Sequence, residues 1–555
     1  MWRNKDRKKK HNGNVILLPA DLNRRKSSSG GKPGGESGGI MKKHKNRILR
    51  AVRAAVFLFV LALMILGLDK SLKLIQEDNL CPRYYEYPKD TFDVAFLGAS
   101  LVMYGIYPVE MYDEYGIASY SLTTGNQSIE ASYYLAKEVI EKDHPSLIVL
   151  DCSFASSDEK KMEPQYIHYI TDTMPYLNKN RLDIIRNLAI TDDFKPLLFP
   201  LIAFHSRWQE LTYGDFLPQT KEMVYGAKIT GRVNVTAPYD EAKITPGALS
   251  EQSRSSIEKI IRLCRENDTG LMLLTMPVPG KNKFFDQDGY NLRVSAAAEV
   301  DELAKKNGIL HANFVGDKKN LEDLGLDLQM DAYDGEHLNR WGAAKFTRTL
   351  GKYIKAHFDI PDRRGQGGAY SLIDKDLENY PVNRMRDSLQ RSIFLRDYAA
   401  SLHSDVSGEP VEDALILVAL NGKVDDDILT EEEAALLRSF GLSSDLHSWE
   451  GHGWLAVIDG GRVVYETALR EDEPDFMDSF EGESGKLRYQ LTSGRIDEET
   501  EVVHSAASIV VNGLEYATED RGLHFAVFRK STGELMDSAW LDIHSYALEF
   551  THDLH

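Results

Sequence analysis

The rhythm of polar and apolar positions changes three times along this chain, and each change predicts a different kind of structure. The first stretch is polar, with a Gly/Ser-rich run (SSSGGKPGGESGG, 27–39) and no apolar periodicity, so disorder is expected there. It gives way to AAVFLFVLALMILGL (54–68), a run without a charged or strongly polar side chain. At ~1.5 Å of rise per residue this run is slightly short of a ~30 Å hydrocarbon layer. Arg50, Arg53 and Lys70 extend it by carrying their charges out to the headgroups. The pattern predicts a transmembrane signal anchor over 48–72 behind a basic, disordered cytoplasmic tail over 1–47. A cleaved signal peptide is the rival reading, but no small-x-small site follows the run.

From about 90 to 360, short runs of mostly Val, Ile and Leu predict strands at 94–97, 118–122, 147–150, 271–275 and 309–312. Helical periodicity fills 131–142, 255–267 and 296–308 between them. Strands apolar on both faces, alternating with helices, predict an α/β domain over 80–360 built on a parallel sheet flanked by helices. The stretch 155–250 breaks the alternation and reads as an insertion. PDRRGQGG (361–368) opens a predicted linker over 361–375. A different pattern fills 376–555: a helix near 383–403, the apolar run ALILVAL (414–420), and a helix opened by a Thr430/Glu433 capping box. A hairpin over 454–458 and 462–465 about Asp459-Gly460 comes next, followed by strand-like runs at 507–511, 524–529 and 534–541. This second domain is α+β, mostly β.

Charge sharpens the reading of the amino terminus. Residues 1–53 hold sixteen Lys/Arg against three acids, whereas the 555-residue chain as a whole carries −19. A basic head could serve nucleic acid, but one that runs straight into an apolar helix reads as the cytoplasmic flank of a span. That places residues beyond about 75 outside the membrane and predicts no nucleic-acid partner. Met41 opens MKKHKNRILR, itself a plausible signal-anchor start, so residues 1–40 read as a dispensable tail or an over-long start. Gly31-Lys32 lacks the P-loop spacing. Three cysteines, Cys81, Cys152 and Cys264, make neither a disulfide framework nor a zinc motif. With 42% hydrophobic residues, the ectodomain must rely on its cores.

Two stretches carry chemistry. In FDVAFLGAS (92–100) a buried strand delivers Gly98, which permits a sharp turn that presents Ser100 at the carboxyl edge of the sheet, where ligands bind in open α/β folds. Alone, Gly-x-Ser fits a helix-capping serine equally. More than two hundred residues on, DAYDGEHLN (331–339) sets Asp334 and His337 in a loop entering a helix, with Asn339 as N-cap and Ala343, Phe346, Leu350 and Ile354 at helical spacing. A nucleophilic serine needs a base, and the imidazole needs a carboxylate to fix its tautomer. A metal cluster of Asp331, Asp334 and His337 is the rival, weakened because no second histidine cluster accompanies it. No metal or cofactor is expected.

Together these blocks resemble the first and last blocks of the SGNH/GDSL hydrolases. The stretch LGASLVMYGIYPVEMYDEYGIASYSLTTGNQS and the strand ending at Asp151 are similar in particular to the D-alanyl-transfer and envelope acyltransferase branch. The resemblance implies Ser100 as nucleophile, His337 as base and Asp334 as its orienting partner. It implies an oxyanion hole from the Ser100 N–H with Gly125 and Asn126, although Gly125-Asn126 also fits a plain strand-to-helix turn. The family's Gly-x-Asn-Asp block is replaced here by Asp151-Cys152-Ser153-Phe154, a departure that fits the transferase-like branch. Asp151 and Arg207 are candidate substrate contacts, with a structural Arg–acid pair as the alternative for Arg207.

In the second domain, ASIVVNGLEY (507–516), RGLHF (521–525) and GELMDS (533–538) resemble the interleukin-like epithelial–mesenchymal-transition inducer domain, which implies glycan binding. Trp449 and Trp454 are candidate stacking residues there, with core packing, the commoner fate of tryptophan, as the alternative. The expected function is O-acyl transfer or removal on an envelope polysaccharide or teichoic-acid-like substrate, with a membrane-bound O-acyltransferase as implied acyl donor. A non-catalytic glycan-binding protein on a degenerate SGNH scaffold is the alternative.

Overall fold

The computed structural model describes residues 36–74, 79–80, 82–158, 161–211, 225–234, 236–281, 285–316, 318–328, 330–403, 411–421, 429–447, 453–469, 477–494, 506–517, 522–542 and 550–552. Most of the predicted tail, and Trp449, lie outside these residues. The chain forms two units, Met1–Leu68 and Asp69–His555.

The first unit is helical wherever it is described. It belongs to a helix over Glu36–Leu72, and the large apolar side chains from Ile48 to Leu68, Phe57, Leu58, Phe59 and Met64 among them, are exposed on every face. Water disfavours such a surface, and the Arg47–Leu72 stretch is long and apolar enough to cross a membrane. A membrane span and an amino-terminal signal sequence share that property.

The second unit begins with the α/β domain. Strands β1 (Val94–Gly98), β2 (Ser119–Thr123), β3 (Leu147–Asp151), β4 (Gly270–Thr275) and β5 (Leu310–Asn313) form one parallel sheet in the order β2-β1-β3-β4-β5. Every residue of β1, β2 and β3 is buried, which is why β1 and β3 read as continuous apolar runs, while β2 (SYSLT) buries two serines and a threonine as well. Helices Ile129–Asp143, Glu251–Glu266, Gln287–Asn307 and Arg340–His357 open on Ser128, Ser250, Asp286 and Asn339, whose side chains accept backbone N–H groups of the first turn. The predicted insertion contributes short helices, Pro164–Thr171, Lys179–Leu188, Lys195–Leu198 and Pro200–Phe204. An extended stretch follows that donates from Lys228 N–H to the Met103 carbonyl at 2.7 Å.

The carboxy-terminal part carries β6 (Ala414–Asn421), β7 (Gly453–Asp459), β8 (Arg462–Leu469), β9 (Met477–Ser484), β10 (Leu487–Gly494), β11 (Ala506–Val511), β12 (Leu514–Glu515), β13 (Gly522–Arg529), β14 (Glu534–Leu541) and β15 (Phe550–His552). They make an antiparallel six-stranded sheet, β15-β14-β13-β6-β7-β8, and a four-stranded one, β12-β11-β10-β9. Alternate residues of β6 serve two cores. Leu415, Leu417 and Ala419 pack toward the four-stranded sheet, and Ile416, Val418 and Leu420 toward helices Tyr370–Leu389 and Leu395–Ser401. That double burial explains the unbroken run ALILVAL. The β7–β8 turn is Gly460-Gly461, both with positive φ, one residue later than the sequence suggests.

Two expectations change. Trp454 is buried on β7, with its indole N–H 3.4 Å from Glu466 Oε1, so it is a core residue and not a stacking platform. The 361–375 stretch is bound to the α/β domain along its length. Arg363 grips Asp93 with two bonds of 2.8 Å, and Tyr112 Oη donates to Asp374 at 2.7 Å. Beyond it, Glu110 accepts from Tyr380 Oη at 2.9 Å and pairs with buried Arg384. Polar, glycine-rich composition reported a turn here, not a loose connection.

Candidate active site

Ser100 is the first residue of the helix Ser100–Gly105, immediately beyond the carboxyl end of β1. Gly98 makes this turn possible. A Cβ there would sit 2.6 Å from Val102 Cγ2 and 2.7 Å from Asp151 Cβ. No larger residue fits without displacing the Val102 or Asp151 side chain.

The loop before Arg340–His357 brings the other groups. Asp334 folds back on its own chain, Oδ1 accepting from the Glu336 and His337 backbone N–H groups at 2.7 and 2.8 Å. Its oxygens also lie 3.0 and 2.9 Å from His337 Nδ1, and His337 Nε2 is 2.8 Å from Ser100 Oγ. Burial pushes the Asp334 carboxyl up, but the His337 ring and these N–H donors outweigh it and hold the pKa below the usual carboxylate value. A carboxylate facing Nδ1 fixes a proton there and leaves Nε2 to accept the serine's.

Asp331 has a different task. Its Oδ2 accepts from Lys345 Nζ at 2.6 Å and from the Asp327 N–H at 2.7 Å, so it braces the loop against the following helix. Asn339 completes the brace: its Oδ1 caps the Trp341 and Gly342 N–H groups and its Nδ2 donates to the Met330 carbonyl at 2.6 Å. Among the described residues no group of three His, Cys, Asp or Glu is arranged to hold a metal ion.

Gly125 is buried at the β2-to-helix turn, and Asn126 is exposed with φ +53, a left-handed backbone that asparagine tolerates better than most residues. Asn126 shares a cavity of about 210 Å³ with Ala99, the residue before the serine. Gln127, Glu130, Phe154 and Ser256 also line it. Its walls are polar and apolar in nearly equal measure, and Glu130 is held by Lys259 Nζ at 2.9 Å and Ser256 Oγ at 2.6 Å.

The two candidate substrate contacts are placed elsewhere. Asp151 is buried under the Gly98 turn and accepts from Ser153 Oγ at 2.5 Å and Ser153 N–H at 2.9 Å, an internal role. Arg207 donates to the Leu72 and Lys73 carbonyls at 3.0 Å, bonds that hold the chain itself.

Three features escaped sequence reasoning. Tyr104, four residues after Ser100 and so on the same helical face, sets its ring 5.0 Å from that of His337 and stacks on Tyr333. Glu336 pairs with Arg293, whose guanidinium lies over the Phe154 ring, tying the histidine loop to a neighbouring helix. Ser153 joins β3 to β4 by accepting from the Met276 N–H at 2.9 Å while donating to Asp151. The i, i+4 spacing of Ser100 and Tyr104 was the one available signal; the other partners lie far apart in sequence.

No family model matches the chain. No curated protein matches it. Among solved structures it is similar to a proposed acylhydrolase from Bacteroides fragilis, with 13% identity over 50% of this chain and 94% of that one, TM-score 0.26. A protein from Lactobacillus plantarum is similar at 10% identity over 48% of this chain and 99% of its own, TM-score 0.25. A gut microbial diltiazem-metabolizing enzyme matches at 15% identity over 48% of this chain and 47% of its own, TM-score 0.18. At such values the functional reading rests on the geometry of the chain's own residues.

Asp151 gives a test of the site's electrostatics. Burial raises its pKa from 3.8 to about 6 despite the Ser153 bonds. A raised carboxylate means the folded state holds the proton more tightly, so its stabilising contribution is complete below about pH 4 and is lost as pH rises through 6. The shift corresponds to roughly 3 kcal/mol. Asp151→Asn can keep accepting from Ser153 and has no proton to lose. Urea unfolding at pH 4.5 and 7.5 should show the variant gaining on the wild type as pH rises. A difference independent of pH would show that the carboxyl is not strained by burial.

Proposed function

We propose that the chain is a membrane-anchored, extracytoplasmic serine acyl-esterase or acyltransferase that acts on O-acyl groups of an envelope polysaccharide. The observation that carries this reading is the continuous set of contacts from Ser100 Oγ through His337 to Asp334, at 2.8 and 2.9 Å. In this reading His337 Nε2 takes the Ser100 proton as Oγ attacks the acyl carbonyl carbon. The oxygen's developing charge falls on N–H groups at the start of the Ser100–Gly105 helix and of the Gly125-Asn126 turn. His337 then returns its proton to the departing sugar oxygen, leaving acyl-Ser100. Water gives hydrolysis; a second sugar hydroxyl gives transfer. Either incoming oxygen loses its proton to Nε2, and Ser100 regains one as the acyl group leaves.

The cavity beside Ala99, about 210 Å³, suits a short acyl group or a sugar, because a long alkyl chain would outgrow it and strand the Glu130 and Ser256 groups in its wall. For transfer, the resemblance to envelope acyltransferases points to a membrane-bound O-acyltransferase as donor. The carboxy-terminal β module is a glycan-binding or spacing element in this scheme.

A fluorophosphonate probe tests the nucleophile, since Oγ displaces fluoride and keeps the phosphonyl group. One labelled peptide, containing Ser100, is the expected result. A folded chain that resists labelling would favour the non-catalytic glycan-binding alternative.

A further inference from the structure

The helical insertion holds apolar side chains that the proposed reaction does not use. Several of its groups grip the chain where the apolar helix ends. Asp69 Oδ1 accepts from the Leu201 N–H at 2.7 Å, and its Oδ2 accepts from Tyr176 Oη. Lys73 Nζ donates to the Asp172 carbonyl at 2.8 Å, and Arg207 donates to the Leu72 and Lys73 carbonyls at 3.0 Å. Beside each of the three insertion residues Tyr176, Leu201 and Arg207, large apolar side chains stand in water. Leu177 is 94% exposed, Phe199 59%, Ile202 48% and Trp208 65%.

A single exposed apolar residue needs no explanation. Four of them, each within two residues of a group bonded to Asp69–Lys73, form a pattern. Leu68 closes the uncharged run and is covalently joined to Asp69, so a bilayer that holds the run also sets the level of Asp69. Their contacts with Asp69, Leu72 and Lys73 then bring Tyr176, Leu201 and Arg207 to the same level. Tryptophan and large aliphatic groups beside Arg and Lys are the composition of a headgroup boundary, where rings sit at the interface and cations reach phosphates.

We infer that Leu177, Phe199, Ile202 and Trp208 form a second membrane contact, seated in the headgroup–acyl boundary of the lipid bilayer beside the helix exit. The occupant is lipid because the patch continues the level set by the apolar run. The contact fixes the height of the insertion above the membrane, and Arg207 is the residue that joins it to the helix end. The inference rests on 48–72 being a retained span.

The full chain in phosphatidylcholine vesicles tests it. Trp208→Phe in parallel isolates the Trp208 emission from that of the other tryptophans, six in all. An interfacial apolar face enters ~5–10 Å, so lipids brominated near the top of the acyl chain should quench the Trp208 component by about twofold. Lipids brominated near the bilayer centre should quench it less. Phe199→Ser with Ile202→Ser, both exposed positions, should reduce the shallow quenching. An alkaline carbonate wash of the same vesicles separates the two levels of failure. A chain released by the wash overturns the retained span and the contact together. A retained chain with unquenched Trp208 overturns the contact alone and leaves the face to a protein or a second copy.

Discussion

Ser100→Ala and His337→Ala are each expected to lower ester turnover by at least about 1,000-fold while leaving the unfolding midpoint nearly unchanged. The size follows from the chemistry: without Oγ no acyl-enzyme forms, and without Nε2 the hydroxyl must lose its proton to water. Neither side chain supports the core. Ser100 stands at a helix start, and His337 lies on a loop braced independently by Asp331–Lys345 and the Asn339 cap. The double variant should be scarcely worse than either single one, since the two act as a unit. Asp334→Asn should be milder, about 100- to 10,000-fold, because an amide oxygen can still accept the Glu336 and His337 N–H groups but cannot hold the imidazolium. Asp331→Asn should mainly cost stability by loosening Lys345. Single-turnover kinetics with a chromogenic short-chain ester, alongside thermal melts, would measure all of these. Robust turnover in Ser100→Ala, or greater kinetic damage from Asp331→Asn than from Asp334→Asn, would break the assignment of roles.

What could be read from sequence followed from how local each signal is. β1, β3 and β4 stood out because strands covered on both faces are almost entirely apolar, and the structure starts and ends all five strands within two residues of the expected positions. The Gly98–Ser100 turn and the Asp334–His337 loop are short-range features, so their shapes were legible before the contact between them was visible. Arg207 and Asp151 were not legible. Arg207 lies in a region of irregular pattern and Asp151 at the end of a regular strand, and whether either group faces a ligand or its own chain depends on segments that sequence leaves unplaced. Arg207 meets residues 72–73, more than a hundred positions away. For Trp454 the structure favours core packing over stacking, because this tryptophan sits on a strand covered on both faces. The 361–375 stretch misled because glycine and arginine report backbone freedom and charge, and the partner that uses the charge, Asp93, lies 270 residues earlier.

That last point leads to the second large effect. A chain ending at Asp362 is expected to lose small-ester turnover almost completely, and to lose it as fully on a short ester as on a polysaccharide. Truncation removes the helix Tyr370–Leu389, whose Ile373 and Tyr380 belong to the core under the parallel sheet. It strips Glu110 of Tyr380 and Arg384, and breaking a buried pair of this kind costs roughly 3–5 kcal/mol. It also reaches the loop that carries His337. Arg340, three residues after His337 and wholly buried, donates to Ser388 Oγ at 3.3 Å, to the Ala400 carbonyl at 3.5 Å and to the His403 carbonyl. Asp397 accepts from the Val233 N–H at 2.7 Å, and the neighbouring Arg232 carbonyl accepts from Asn339 Nδ2 at 3.2 Å. The histidine loop is thus fastened to helices that lie beyond the supposed linker. Since the short chain would simply unfold if the core loss dominates, Arg340→Met in the full chain isolates the fastening. It keeps the buried volume and removes the donors, so it should slow turnover with a smaller loss of stability than truncation. A truncated chain that folds and hydrolyses short esters at the full-length rate would mean that the α/β domain positions His337 unaided, and that the β module serves only to engage the longer substrate.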